Sequence, residues 1–556
     1  MVQGDRDDGE ERRAPAWREG APEFVLDPEA DGFAALDGRP NSLTTVLADS
    51  RARRDEGAAV RWRVPLHPTL VHRLEGVFSL ALDEGIEPIL FPAAGAGDLS
   101  PEDRQFAWDF IHYRLLGEER ARLAPDQVEA YEALARELAG PEPPIHETPG
   151  LADMAEVLRD GLRGLLRWLL AGGAARAAPT ERIDSALLIG AYGGEHIGDL
   201  AILGGVLRRI RARYATSRVV LMSQRPDHTR HLLAMLELPV ELRVEPYEHG
   251  RIRACLAEAD GLVYAGGPLT DIPKHLVRHL YAASLARRAG KPFVMEGIGV
   301  GPFPRAPSEW VGRRIAGLAE RIAVRTSEDG RQPQVQALAP EVGRDPAFDY
   351  LESRGETLTR LPEVDRRAIA QLLEGSEGRL LVGVNTRPIA AIWTEGTPEG
   401  LDREAHTDGI EDRFERELAA GLRRFSESAA TRPCFVFYPM NAIQFGKSDL
   451  RSAYRIARHL HGEVDFRVWQ GDASLDGVVS LLRRLDLAIA MRFHGAIFAL
   501  SQQKPVIGVD YRPGRRDKVG YLLSDFGQAE SCTRIDTLTG GWLADRLQAL
   551  AAARRG

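Results

Sequence analysis

The segment DLAIAMRFHGAIFAL, beginning at Asp486, runs from an apolar stretch, Leu487 to Met491, through Arg492 and His494 into an equally apolar helix start. Burying an unpaired charge costs several kcal/mol, so this pair must lie where the core opens to water or to a charged ligand. A histidine at an apolar boundary is often a satisfied structural residue, yet its near-neutral pKa also makes His494 the natural proton donor. Two further arginines close apolar runs in the same way: Arg325 in IAVRTSEDG and Arg387 in LLVGVNTRP. Each alone reads equally well as an ion-pair partner. Three at the ends of strand-like runs describe a cleft whose guanidinium forks grip carboxylates or phosphates, which favours a small multi-anionic substrate. The loop DYRPGRRDKVG adds Arg512, Arg515, Arg516 and Lys518, partly as solvated surface.

Glycine turns accompany these charges. In AYGGEHIGDLAIL, Gly193, Gly194 and Gly198 permit a tight turn and Asp199 opens a helix, a combination that presents free backbone N–H groups to an anion. The spacing is not G-x-G-x-x-G, so no dinucleotide site follows, and Asp199 equally suits the helix dipole alone. A second turn, YAGGPLTDIPKHLVRH, carries Gly266, Gly267 and Asp271, the last placed to orient a hydroxyl. His275 and His279 stand four residues apart and would face one metal from a helix. The glutamate of H-E-x-x-H is absent, and packing histidines are the better reading. No phosphate-binding P-loop, nucleophile elbow or carboxylate metal motif competes, so neither a metal nor a cofactor is expected.

The elements that must carry these residues are short apolar runs alternating with helical stretches. SALLIGAY, RVVLMS, VELRVEP, GLVYAGG, PFVMEGIG and IAVRTS form one series; LLVGVNTR, CFVFYPM, VDFRVWQ, LAIAMRF and PVIGVDY form a second. This alternation predicts an α/β fold of two doubly wound, Rossmann-like domains, residues 181–375 and 376–556, facing a cleft into which the strand ends deliver their side chains. Residues 1–20 read as a disordered tail and 21–180 as an accessory α/β region of unknown role, with a strand in EPILFPA, a helix in PDQVEAYEALAREL and a linker in AGPEPPIHETPG.

Composition narrows the partners. The chain has 556 residues, is 44% hydrophobic and 28% charged, and carries a formal charge of −9, which argues against nucleic acid as a partner. Only five of its 72 basic residues are lysine. Three widely separated cysteines fit neither a disulfide framework nor a metal knuckle and point to the cytoplasm. The most hydrophobic helix, from Met154, carries five charges along its length and predicts no transmembrane segment. It suits docking against another domain, with the inner face of a membrane as the alternative.

Taken in order, GAYGGEHIGDLAIL, YAGGPLTD, EGIGVGPF, IAVRTSEDG, DPAF, VGVNTRP, FVFYPM with Asp449 beyond it, AMRFHGAIFAL and KPVIGVDY with Lys518 resemble the polysaccharide pyruvyl transferase family over about residues 183–530. The resemblance implies a GT-B-like pair of domains and transfer of a pyruvyl group from phosphoenolpyruvate to a sugar, with a ketal as the usual product. It also implies His494 as general acid and Arg492 and Arg325 as the donor-gripping arginines. Gly193, Gly194, Asp199, Gly266, Gly267, Arg387 and Lys518 would line the substrate, and Asp271 would hold the first hydroxyl. The sequence departs from the family's pattern at His196, where Asn is common, at Phe493, where Leu is usual, and in a longer loop from Tyr511 to Lys518. A nucleotide-sugar glycosyltransferase, or a degenerate homologue acting as a binding subunit, is the alternative.

Overall fold

The computed structural model describes residues 23–25, 50–67, 86–92 and 123–138, scattered positions between 74 and 116, and 181–554 apart from 191, 194–196, 234–235, 355–360, 362, 390–402, 442–448, 461–462, 470–473 and 515. The chain divides into two compact units, Met1–Ala139 and Gly140–Gly556. The expected tail over 1–20, the linker AGPEPPIHETPG and the helix from Met154 lie outside the described residues.

In the first unit three parallel strands, β1 (Glu23–Val25), β2 (Arg61–Leu66) and β3 (Glu87–Pro92), lie side by side in chain order. Alternation in RWRVPL sends Trp62, Val64 and Leu66 into the core, while Arg61 and Arg63 stay half-buried. Arg63 covers the Phe91 ring at 4.5 Å. Helix α1 (Pro125–Leu138) is tied to the sheet by Gln127, which donates to Glu87, and by Tyr131, whose hydroxyl accepts the Leu90 N–H at 3.2 Å. Burial pushes the Tyr131 hydroxyl up to about 12.

The second unit holds two parallel sheets. The first is built from β4 (Ser185–Ile189), α2 (Ile197–Tyr214), β5 (Arg218–Ser223), α3 (Pro226–Leu233), β6 (Glu241–Pro246), α4 (His249–Glu258) and β7 (Gly261–Tyr264). It continues through β8 (Pro268–Leu269), α5 (Pro273–Arg288), β9 (Phe293–Val300), α6 (Ala306–Leu318), β10 (Arg321–Val324), α7 (Ser327–Arg331) and β11 (Glu341–Val342). Its strand order is β11-β10-β9-β7-β4-β5-β6, with β8 paired to β9. Helices α8 (Pro346–Ser353) and α9 (Glu363–Leu373) lead into the second sheet. There β12 (Leu380–Asn385), α10 (Arg403–Ser428), β13 (Pro433–Phe437), α11 (Asp449–Leu460), β14 (Phe466–Val468) and α12 (Leu475–Arg484) precede β15 (Leu487–Ala490) and α13 (Phe493–Ser501). The chain ends with β16 (Val506–Asp510), α14 (Lys518–Asp525), β17 (Cys532–Arg534) and α15 (Gly540–Ala553), giving the order β14-β13-β12-β15-β16-β17. All eleven strands expected in this unit are present, joined by the short β8, β11 and β17.

Both sheets follow the Rossmann order, in which the chain starts at the centre, works out to one edge and returns to build the other side. The reversal falls between β4 and β7 in the first sheet and between β12 and β15 in the second. Ligands of open α/β sheets bind beyond the strand carboxyl ends at such reversals.

The two sheets share one apolar core. It runs from Leu188 on β4 through Leu203 on α2 and Phe348 on α8 to Leu482 on α12 and Ile497 on α13. Gly204 and Gly205 bring α2 against α8: a Cβ on Gly204 would stand 2.3 Å from a Tyr350 ring carbon, and one on Gly205 1.8 Å from the Pro346 carbonyl oxygen. Arg354 pairs with Asp476, and the Ser327 N–H donates to Asp525 at 3.0 Å, so polar links cross the same interface. Among the described residues no helix is long and apolar enough to cross a membrane.

Candidate active site

Strand β15 delivers Arg492 and His494 to the reversal point of the second sheet, and a buried carboxylate meets the arginine there. Arg492 Nε donates to Asp449 Oδ1 at 2.6 Å and Oδ2 at 2.8 Å. Asp449, at the start of α11, also accepts the N–H groups of Met440 (2.9 Å) and Asn441 (3.1 Å) and the amide of Asn385 (3.3 Å). The Asn385 side-chain oxygen accepts the Arg492 backbone N–H at 3.3 Å, and its amide also donates to the Tyr438 carbonyl. Gly495 must be glycine for this brace to fit, because a Cβ would come within 2.5 Å of that oxygen. The charge that looked misplaced in an apolar turn is therefore balanced. Arg492, expected as a donor-gripping arginine, lines the cavity as half of a buried ion pair with Asp449.

The first domain supplies Arg325 at the end of β10. Its Nη1 lies 3.2 Å from Asp345 Oδ2, and the other Asp345 oxygen caps α8 by accepting the Ala347 N–H at 2.9 Å. Burial pushes the Asp345 carboxyl above its usual range, against the pull of Arg325. The Arg325 guanidinium lies 4.6 Å over the Phe493 ring, so the departure from leucine at 493 provides a cation–π platform joining the two domains. A Cβ on Gly299 would come within 2.6 Å of Arg325 Nη2, and one on Gly198 within 2.4 Å of the His494 ring. Two glycines of the sequence motifs thus leave room for the side chains of Arg325 and His494.

These groups surround a chamber of about 160 Å³. Asp199 and Gly267 line it from the first domain, Arg387, Arg492 and His494 from the second, with Tyr511 and Lys518 from the segment after β16. Arg387 lies 4.5 Å over the Tyr511 ring. Lys518 opens α14, where Asp510 accepts the Gly520 N–H at 2.9 Å and anchors the first turn. Burial, reinforced by neighbouring Arg325, pushes the Lys518 ammonium down to about 8. A second chamber of about 130 Å³ shares Arg325, Phe493 and Lys518 with the first.

The remaining expectations fare differently. Gly193 (φ +113) closes a turn against Gln224 and Arg225, and Gly266 (φ +75) leaves room for the Tyr192 hydroxyl, so both shape the loops rather than line the chamber. Gly194 lies outside the described residues. Asp271 is not brought to the chamber: Arg305 takes its carboxylate at 2.6 and 3.0 Å, and its backbone N–H adds a third bond at 3.1 Å. His275 and His279 do not converge on a metal. His275 bonds Gln224 and His279 bonds the Tyr247 hydroxyl, and burial lowers both, His275 to about 4. Among the described residues Asp412, Glu415 and His459 have metal-ligand spacing, but Arg416 and Arg455 already pair with the two acids. Sequence reasoning gave no role to Asn385 or Asp345, although each lies within a quoted motif, VGVNTRP and DPAF respectively.

The model of the family described as polysaccharide pyruvyl transferase matches residues 196–513. No curated protein matches the sequence. Among solved structures, the UDP-GlcNAc 2-epimerase of Methanocaldococcus jannaschii is 10% identical with a TM-score of 0.46, over 67% of this chain and 94% of that one. The UDP-GlcNAc 2-epimerase of Neisseria meningitidis is 13% identical (TM-score 0.42), over 67% and 92%. The E. coli ADP-heptose heptosyltransferase II is 16% identical (TM-score 0.37), over 67% and 100%. With the family match spanning more than half its length and enclosing Arg325, Arg492 and His494, the chain belongs to the polysaccharide pyruvyl transferase family.

Proposed function

We propose that the protein transfers the pyruvyl group of phosphoenolpyruvate to hydroxyls of a carbohydrate and closes a pyruvate ketal. The observation that carries this reading is the charge of the larger chamber: Arg325, Arg387, Arg492, Lys518 and His494 line it against one acid, Asp199. Asp345 and Asp449 balance two of those arginines, while Lys518 has no carboxylate in salt-bridge contact among the described residues. Such a lining suits a donor bearing both a carboxylate and a phosphate. It requires no cofactor, phosphoenolpyruvate being a substrate.

In this reading the His494 imidazolium donates a proton to the methylene carbon C3 as a hydroxyl oxygen bonds to C2, and the hydroxyl's proton passes to the imidazole and restores the imidazolium. The C2–O bond to phosphorus then breaks and phosphate leaves with the electron pair. A second hydroxyl bonds to C2 and its proton departs with the phosphate, leaving a methyl ketal carboxylate. Arg325 and Lys518 neutralise the leaving group, and Asp199 takes over the orienting role first given to Asp271. Arg492 acts with Asp449 and Asn385 to hold the turn that aims His494.

A thermal-shift comparison tests the donor: phosphoenolpyruvate should raise the melting temperature and uridine or guanosine diphosphate should not. The opposite result favours a nucleotide-sugar glycosyltransferase. Phosphate release from phosphoenolpyruvate should require a hydroxylated acceptor and vanish in His494→Ala with the fold intact; undiminished turnover in that variant would remove His494 from the chemistry.

A further inference from the structure

The second chamber differs in kind from the first. Where the first opposes its cations with Asp199 alone, the second brings Glu328, Asp329 and Asp517 together with Arg512, Arg516 and Gln332. Asp329 is consumed internally, accepting from the Val300 N–H at 2.7 Å and the Thr326 hydroxyl at 2.6 Å. Asp517 is not. It is 7% exposed, and its Oδ2 lies 3.3 Å from Arg512 Nε but accepts no hydrogen bond among the described residues. A buried carboxylate oxygen facing a cavity in that state is short of a donor. Glu328 stands on α7, one turn beyond Arg325, and accepts the Gln332 amide at 3.1 Å while remaining partly open.

We propose that this chamber is the acceptor subsite and takes a neutral polyhydroxylated sugar, with Asp517, Glu328 and Gln332 reading its hydroxyls. The inference rests on the donor assignment above and extends it. Sugar hydroxyls both donate and accept, so a site for them mixes carboxylates, amides and guanidinium groups. A site for an anion keeps carboxylates few, as the first chamber does with Asp199 alone, so three acids make the second chamber a poor exit for phosphate. The position fits the reaction as well. Arg325, Phe493 and Lys518 form the wall common to both chambers, so a hydroxyl held in the second reaches C2 of a donor held in the first beside the groups that neutralise the departing phosphate. Acceptor choice then resides in the α7 turn and the loop between β16 and α14.

The test uses the full chain with saturating phosphoenolpyruvate and a panel of methyl glucosides, galactosides and mannosides, read by saturation-transfer NMR. At least one glycoside should bind the wild-type protein. Its affinity should fall roughly ten- to a hundredfold in D517N or E328Q, as expected for loss of a hydrogen bond to a charged group, and roughly two- to tenfold in Q332A, where a neutral amide is lost. The phosphoenolpyruvate thermal shift should persist in E328Q and Q332A, which also shows those variants folded. Unchanged glycoside affinity in all three variants overturns the proposal, as does a wild-type protein that binds phosphoenolpyruvate but none of the glycosides. Failure of the wild type to bind phosphoenolpyruvate overturns the donor assignment instead.

Discussion

Lys518→Met should make the protein more stable at neutral pH while abolishing donor binding. The folded state holds the Lys518 ammonium among buried groups beside Arg325, moving its pKa from an ordinary 10.5 to about 8. At about 1.36 kcal/mol per pH unit, that displacement is a penalty of roughly 3 kcal/mol against the folded state wherever both states are protonated, which means below pH 8. Between about pH 8 and 10.5 the unfolded chain binds the extra proton and the folded chain does not, so the penalty shrinks as pH rises. The stability advantage of K518M over wild type should therefore be largest at pH 7 and nearly gone by pH 10.5. Donor affinity has the opposite dependence. It needs the ammonium, so it should weaken as pH rises through 8, with binding above pH 8 accompanied by proton uptake. Urea denaturation of both proteins at pH 7, 8.5 and 10, paired with phosphoenolpyruvate titrations in buffers of different ionisation enthalpy, measures both quantities. A K518M protein less stable than wild type at pH 7, or one that still binds phosphoenolpyruvate, refutes the reasoning.

Three further substitutions probe the framework. Asp449→Asn leaves the Arg492 cation buried without its carboxylate and should cost about 3–5 kcal/mol of stability by chemical denaturation; a loss below about 1 kcal/mol would mean that the pair is not a buried unit. Gly198→Ala drives a methyl into the His494 ring, and a displacement near 1 Å should lower kcat about a hundredfold with little change in donor affinity. Asp271→Asn weakens the three hydrogen bonds that the buried carboxylate accepts from Arg305, so it should cost about 1–3 kcal/mol of stability and leave phosphate release from phosphoenolpyruvate near the wild-type rate.

The sheets of the second unit were legible because their strands are buried on both faces, which leaves continuous runs such as LAIA in β15 and SALLI in β4. Strands β8 and β11 are two residues each and β17 three, too short for any periodicity to register. Strand β2 escaped notice although RWRVPL alternates, because its outward positions are arginines in a chain rich in arginine. The site was legible in the same partial way. A cation at the end of an apolar run announces itself, so Arg325, Arg387 and Arg492 stand out.

What such a run cannot reveal is the partner that decides the cation's role. Asp345 lies 20 residues from Arg325 and Asp449 lies 43 from Arg492, while Arg305 lies 34 from the acid it occupies, Asp271. At those separations pairing is set by where the strands and helices place the chain, not by local pattern. Asp271 and Asp199 look alike in sequence, each just beyond a glycine turn, and only the position of Arg305 separates a structural acid from one facing the chamber. The same reasoning orders the cations by function. Arg492, opposed by a buried carboxylate, gives shape and direction to the turn that carries His494, whereas Lys518, with no carboxylate in salt-bridge contact among the described residues, is in the proposed reading the charge left for a ligand to complete.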